Sequence, residues 1–134
     1  MANALYGKGK EKLLTAAINL STDTIRAAIL SSAYSQNLAT DEFLSAISAS
    51  VLNTAQVLGT KTITLGVFDA ADITFTAVTA GATCKAIVIY KDTGLASTSA
   101  LLAFIDTITG FPLATNGGDI TIAWDNGANK IFAL

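Results

Sequence analysis

The residues able to do chemistry are few and scattered. The chain of 134 residues contains no histidine. That removes Ser-His-Asp and Cys-His catalysis, the usual zinc sites and the commonest general base. Asp92-Thr93-Gly94 has the three-residue core of aspartic proteases. Those enzymes carry the aspartate on a buried loop after an apolar residue and set a second aspartate opposite it. Here Lys91 precedes it, and the surroundings read as a strand-ending turn. Asp69 and Asp72 could hold a calcium ion with loop carbonyls, but EF-hand spacing is missing and aspartate is an ordinary turn residue. Gly7-Lys8-Gly9-Lys10 lacks the spacing of a phosphate loop. Lys8, Lys10 and Lys12 form a basic cluster that reads as a solvated helix start, since no aromatic residues interleave it as in nucleic-acid sites. Cys84 is the only cysteine, so no intrachain disulfide forms, and it is expected as a small buried hydrophobe. Trp124 could stack on a sugar or a base; packing in the core of a hairpin is the favoured reading. Tyr6, Tyr34 and Phe111 lie beside turns or loops and are the candidates for an exposed contact patch. No polar set converges, so no catalytic residue, cofactor or metal site is expected, and the enzyme reading is disfavoured.

The elements that would position these residues are mostly strands. Residues 64–94 alternate Ile73, Phe75 and Ala77 with Thr74, Thr76 and Val78, the period of a half-buried strand. Ala86 to Tyr90 is continuously apolar and β-branched, as in a strand covered on both faces. Further strands are expected at Thr24–Ser31, Lys61–Phe68 (Ile63, Leu65 and Val67 on one face, a bulge or a close backbone approach at Gly66), Leu101–Asp106 and Asp119–Trp124. Val51–Val57 is ambiguous and could be extended. Asp125-Asn126-Gly127 is expected to turn Asp119–Trp124 into a hairpin with Lys130–Leu134. Arg26, the single arginine, is expected at a sheet edge or in an interface. Two short helices are expected in the N-terminal third. One runs from Lys10 to Asn19. The other starts after an N-cap at Thr40, with Asp41 and Glu42 in its first turn and Phe43, Leu44 and Ile47 on one face. The pattern predicts one mainly β domain over 1–134, an antiparallel β-sandwich or jelly-roll-like barrel, with 1–12 as an extended arm.

Composition bears on assembly. Charged residues make up 13% and apolar residues 51%, against a usual charged share of about 25%. Mean hydropathy is +0.54, yet no apolar run reaches the roughly 18 residues of a membrane span. A net charge of −2 favours neither nucleic acid nor an anionic membrane. So little charge leaves much surface to threonine, serine and apolar groups, which predicts burial against other subunits. The first residues show no long apolar run before a cleavage site, so synthesis in the cytoplasm is expected.

Four segments carry a resemblance: GKGKEKLL near the start, GVFDAADITFTAV, KAIVIYKDTG, and AFIDTITGFPLATNGGDITIAWDNGANKIF. Together they resemble a family of small virion proteins of tailed bacteriophages, over nearly the whole chain and most closely from Gly66 to Leu134. The resemblance implies a non-enzymatic head decoration, or cement, protein on the capsid surface, some of which are jelly-rolls. Its partners would be the major capsid protein and copies of itself, as a homo-oligomer or lattice-bound subunit, without nucleic acid or membrane. Tyr6, Lys8, Lys10, Lys12, Arg26, Tyr34 and Phe111 are the interface candidates. A tail or fibre-attachment component and a carbohydrate-binding module using Trp124 or Phe111 remain as alternatives.

Overall fold

A computed structural model describes residues 4–108, 110–124, 127–128 and 130–133. In chain order these form β1 (Ala4–Leu5), α1 (Gly7–Leu14), β2 (Ile25–Ser31), β3 (Val51–Val57), β4 (Thr62–Thr64), β5 (Val67–Asp69), β6 (Ile73–Phe75), β7 (Thr83–Lys91), β8 (Leu101–Ile105), β9 (Leu113–Ala114), β10 (Ile120–Ile122) and β11 (Phe132–Ala133). The fold is mainly β with antiparallel sheets and one α-helix near the N-terminus. The largest sheet runs β1-β8-β7-β2-β3, with β9 also on β7; β10 pairs with β6, and β11-β5-β4 forms the third sheet. No closed barrel forms among the described residues.

The continuous apolar runs of β2, β7 and β8 follow from cover on both faces. Ile25, Ala27 and Ile29 of β2 share one core with Ile87 and Ile89 of β7, with Phe68, Phe75 and Ile122 from the smaller sheets, and with Trp124 just after β10. The alternate residues Ala28, Leu30, Ala86 and Val88 join Phe104, Tyr6, Tyr34 and Ile47 in a second core. A strand with a core on each side has no polar face, so the period-two signal disappears and only length and β-branching mark it.

Several expectations need correction. The helix starts at Gly7 and stops at Leu14, short of Asn19. Ala16 takes a left-handed φ of 63°, Ala16 N–H donates to Leu13 O, and Ala17 N–H donates to Lys12 O at 2.8 Å. This is the hydrogen-bond pattern of a Schellman stop, so Ile18 enters the core from a loop rather than from a helical face. The second expected helix is two 3-10 turns, Leu44–Ala46 and Ser48–Ser50. Phe43 is extended and bridges Ala100, while Thr40 closes a turn on Asn37. The expected strand Lys61–Phe68 is a hairpin: Leu65 and Gly66 both have positive φ, 51° and 78°, and Thr64 pairs with Val67. That is a two-residue turn of type I′ character, not a bulge. The expected last hairpin does not form either. β10 and β11 pair with β6 and β5 instead of each other, and the turn residues 125 and 126 lie outside the described residues. Ala77, with φ 51°, ends the alternation of β6, so Val78 rather than Ala77 is buried.

Candidate functional site

The described N-terminal residues are not an extended arm. Ala4 and Leu5 pair with Phe104 and Ala103 of β8, and α1 lies on the same strand through Gly9. A Cβ at Gly9 would meet Leu101 O at 2.6 Å, so only a glycine permits this approach. Residues 1–3 lie outside the described residues.

Tyr6 and Tyr34 were expected in an exposed patch, and the structure corrects this: both are buried. Their hydroxyls meet at 2.9 Å, and Tyr34 donates onward to Asp41 Oδ2 at 2.5 Å. The same carboxylate oxygen accepts Asn37 N–H at 3.0 Å. Burial, outweighing the hydrogen bond from Tyr34, pushes the Tyr6 hydroxyl up to about 12; the charge of Asp41 acts in the same direction. Tyr34 is pushed up as well, by burial first and then by its bonds to Asp41 and Tyr6. The two rings satisfy one another because loop 32–43 folds back over the sheet, which neighbouring turn residues do not reveal.

Two of the helix lysines are engaged in ion pairs. Lys8 pairs with Glu11 at 3.2 Å, and Lys12 pairs with Glu42 at 2.6 Å while lying 5.0 Å from the Phe43 ring centroid. The hydrogen bond from Lys12 holds the Glu42 carboxyl below its ordinary range. Lys10 is exposed. Tyr6, Tyr34 and Lys12 therefore converge on loop 34–43, inside the chain. Arg26 stands elsewhere, and not at a sheet edge: β2 lies between β7 and β3. Its Nε donates to Asp92 Oδ2 at 2.6 Å and its Nη1 to Ala55 O at 3.4 Å. Phe111 is half-buried and packs against the first core.

The motif candidates resolve into structure. Asp92 ends the β7 region; its Oδ1 accepts Gly94 N–H at 2.9 Å, and that bond, with Arg26, holds the carboxyl below its usual range. Gly94 has φ 89°, the backbone that closes this turn. Asp72 Oδ1 accepts Trp124 N–H at 3.0 Å, and Trp124 Nε1 donates to Ala71 O at 3.1 Å. The indole is buried, so its faces belong to the core rather than to a sugar. Cys84 is buried, and burial pushes its thiol up. Among the described residues no three histidine, cysteine or carboxylate side chains group so as to hold a metal ion.

Sequence reasoning missed a set of exposed apolar side chains: Leu65 is 97% exposed, Leu14 88%, Leu95 64%, Val57 51% and Ile63 48%. Ile63 and Leu65 had been placed on one face of a single strand. Leu-Gly between Thr64 and Val67 was the available signal, a two-residue turn with glycine second.

In comparisons with known proteins, no protein-family model matches the chain and no curated protein matches it in sequence.

Proposed function

We propose that the chain is a non-enzymatic structural subunit of a tailed-phage particle, a decoration protein that binds the assembled shell and copies of itself. The observation that supports it most is the surface. Lys8, Lys12 and Arg26 are engaged in ion pairs and Asp72 and Asp92 accept backbone N–H groups, while large apolar side chains stand in solvent on a chain with half the usual charge. A surface of that kind fits burial against neighbours. In this reading the six-stranded sheet and the smaller ladders packed on one face are the two layers of a β-sandwich, and the sequence resemblance supplies the address on the virion. Binding to the assembled state stabilises it by mass action, and many copies act together, so each contact can be weak.

Cryo-electron microscopy of intact particles tests this. The expected result is density fitting this chain on the outside of the shell, at sites bridging major-capsid subunits. Density only at the tail or a fibre base would move the chain to the attachment reading. A monomer in light scattering that also fails to co-sediment with shells lacking it would overturn both.

A further inference from the structure

We propose that Asn116 is a site of spontaneous covalent modification: its side-chain amide closes on the Gly117 nitrogen, loses ammonia and opens to aspartate and isoaspartate, and the isoaspartate loosens the pairing of β10 with β6. The inference concerns the chain itself and stands apart from the virion reading. Such a ring closure needs an unhindered following residue, an amide nitrogen free to give up its proton, a polarised side-chain carbonyl and access to water. Turn 115–118 supplies each. Gly117 sits at φ 85°, a backbone glycine holds at ease, so the turn itself calls for the neighbour that leaves the approach open. Asn19, Asn37 and Asn53 are followed by Leu20, Leu38 and Thr54, whose side chains hinder it. Among the described residues nothing accepts the Gly117 N–H. Asn116 Oδ1 accepts the Gly118 N–H at 2.9 Å, a donor placed where negative charge develops when the amide carbon is attacked. The same bond closes an Asx turn, which folds the side-chain amide back over the Gly117 peptide. Asn116, Gly117 and Gly118 are all exposed, so ammonia leaves to water and water enters.

The step needs no oxidant or reductant. Gly117 N bonds to Asn116 Cγ, the Cγ–Nδ2 bond breaks, and the nitrogen leaves as ammonia with the Gly117 amide proton. Water then opens the five-membered imide. Attack at Cγ gives aspartate with the ordinary backbone. Attack at the Asn116 main-chain carbonyl routes the chain through Cβ and adds one methylene to it. The turn is pinned on both sides, so that methylene is felt. Thr115 N–H donates to Ala82 O at 2.8 Å, and Thr115 Oγ1 accepts Ala82 N–H at 2.9 Å. Beyond the turn, Gly118 O accepts Val78 N–H at 3.0 Å and Asp119 Oδ1 accepts Ala77 N–H at 2.8 Å. These last two bonds lie at the end of the ladder in which Ile120–Ile122 meets Ile73–Phe75. A longer chain between Thr115 and Gly118 strains one set of bonds or the other.

Ageing of the purified chain at mildly alkaline pH tests this. Cleavage before aspartates separates peptide 106–118 from peptide 125–134, which carries the other Asn-Gly pair. The aspartate product is cut again before residue 116, whereas isoaspartate leaves peptide 106–118 whole and heavier in mass spectrometry. Misplacing the reacting atoms by about 1 Å would slow closure ~10²-fold, so the folded chain is expected to react within about tenfold of the same chain in guanidinium chloride. The isoaspartate-rich fraction melts about 3–6 °C below fresh protein. Asn116→Asp, which keeps an oxygen for the Gly118 N–H and an ordinary backbone, melts within about 2 °C of the wild type. A folded chain reacting more slowly than that margin overturns the site. An isoaspartate fraction that melts like fresh protein overturns the loosening, and Asn116→Asp melting as low as that fraction would assign the loss to charge instead of the added methylene, again against the proposal.

Discussion

Gly9 is where α1 touches the sheet, and alanine there measures how closely. The added Cβ would lie 2.6 Å from Leu101 O and 2.9 Å from Leu102 Cα, both backbone atoms of β8. Carbon atoms pack best at about 3.5–4.0 Å, so the helix must retreat by at least ~0.6 Å. It is not free to do so. Tyr6 N–H donates to Leu102 O at 2.9 Å just before the helix, Gly7 N–H donates to Leu38 O at 2.6 Å, and Lys12 is tied to Glu42. In an open helix, Gly→Ala would stabilise by up to about 1 kcal/mol. Overpacking of a close contact costs about 1–3 kcal/mol, and it falls on a site without a flexible neighbour to yield. The net expectation is a loss of about 1–2 kcal/mol, a fall of about 3–8 °C in Tm. Thermal unfolding followed by circular dichroism reads it, with Lys10→Ala on the exposed side as the neutral comparison. A Gly9→Ala chain melting at or above the wild type would refute the close approach of helix and sheet.

The three tyrosines give a second test. Burial raises Tyr6, Tyr34 and Tyr90, so ultraviolet titration of the native chain shows less phenolate at pH 10 than model tyrosine, which is half ionised there. A folded pKa above the unfolded one adds stability that is complete below pH 10 and is lost as pH rises further, so the phenolates appear with alkaline unfolding; a reversible native titration centred near pH 10 would contradict the buried pair. Trp124→Ala should cost about 3–5 kcal/mol in chemical denaturation. Trp124→Phe keeps most of the packing but strands Ala71 O, for about 1–2 kcal/mol; an unchanged Tm for the alanine variant would show an indole outside the core.

What was legible in the sequence was local. Ala86–Tyr90 and Leu101–Ile105 are short, continuously apolar runs, the first rich in β-branched residues, and both are buried strands covered on two faces. Cys84 and Trp124 pack as their types suggest. Pairing was less legible. Ile120–Ile122 was assigned to the nearest strand across an Asp-Asn-Gly turn, yet it pairs with Ile73–Phe75, where Thr74 and Thr121 hydroxyls meet at 3.1 Å across 47 residues of chain. Ala77 N–H donates to Asp119 Oδ1 and Val78 N–H to Gly118 O, which fixes that register from its end. A turn signal reports that the chain can reverse, not which strand it reverses beside.

The exposed hairpin tip was hidden for a related reason. Period two says which residues share a face, but not whether anything covers it. Ile63, Leu65 and Val67 share a parity and were assigned to one face. The backbone reverses between Leu65 and Gly66, so the same three side chains divide among an exposed strand, a solvent tip and a half-buried strand. The tyrosines erred in the opposite direction. Tyr6 and Tyr34 stand beside polar loops, where an amphipathic ring is commonly exposed, but each hydroxyl finds a partner 28 residues away and the pair goes inside. Exposure at Leu65 follows from a local turn, while burial at Tyr34 follows from a contact distant in sequence. The sign that survives at the sequence level is the misfit: a leucine where a type I′ turn asks for asparagine is a local choice at odds with its backbone.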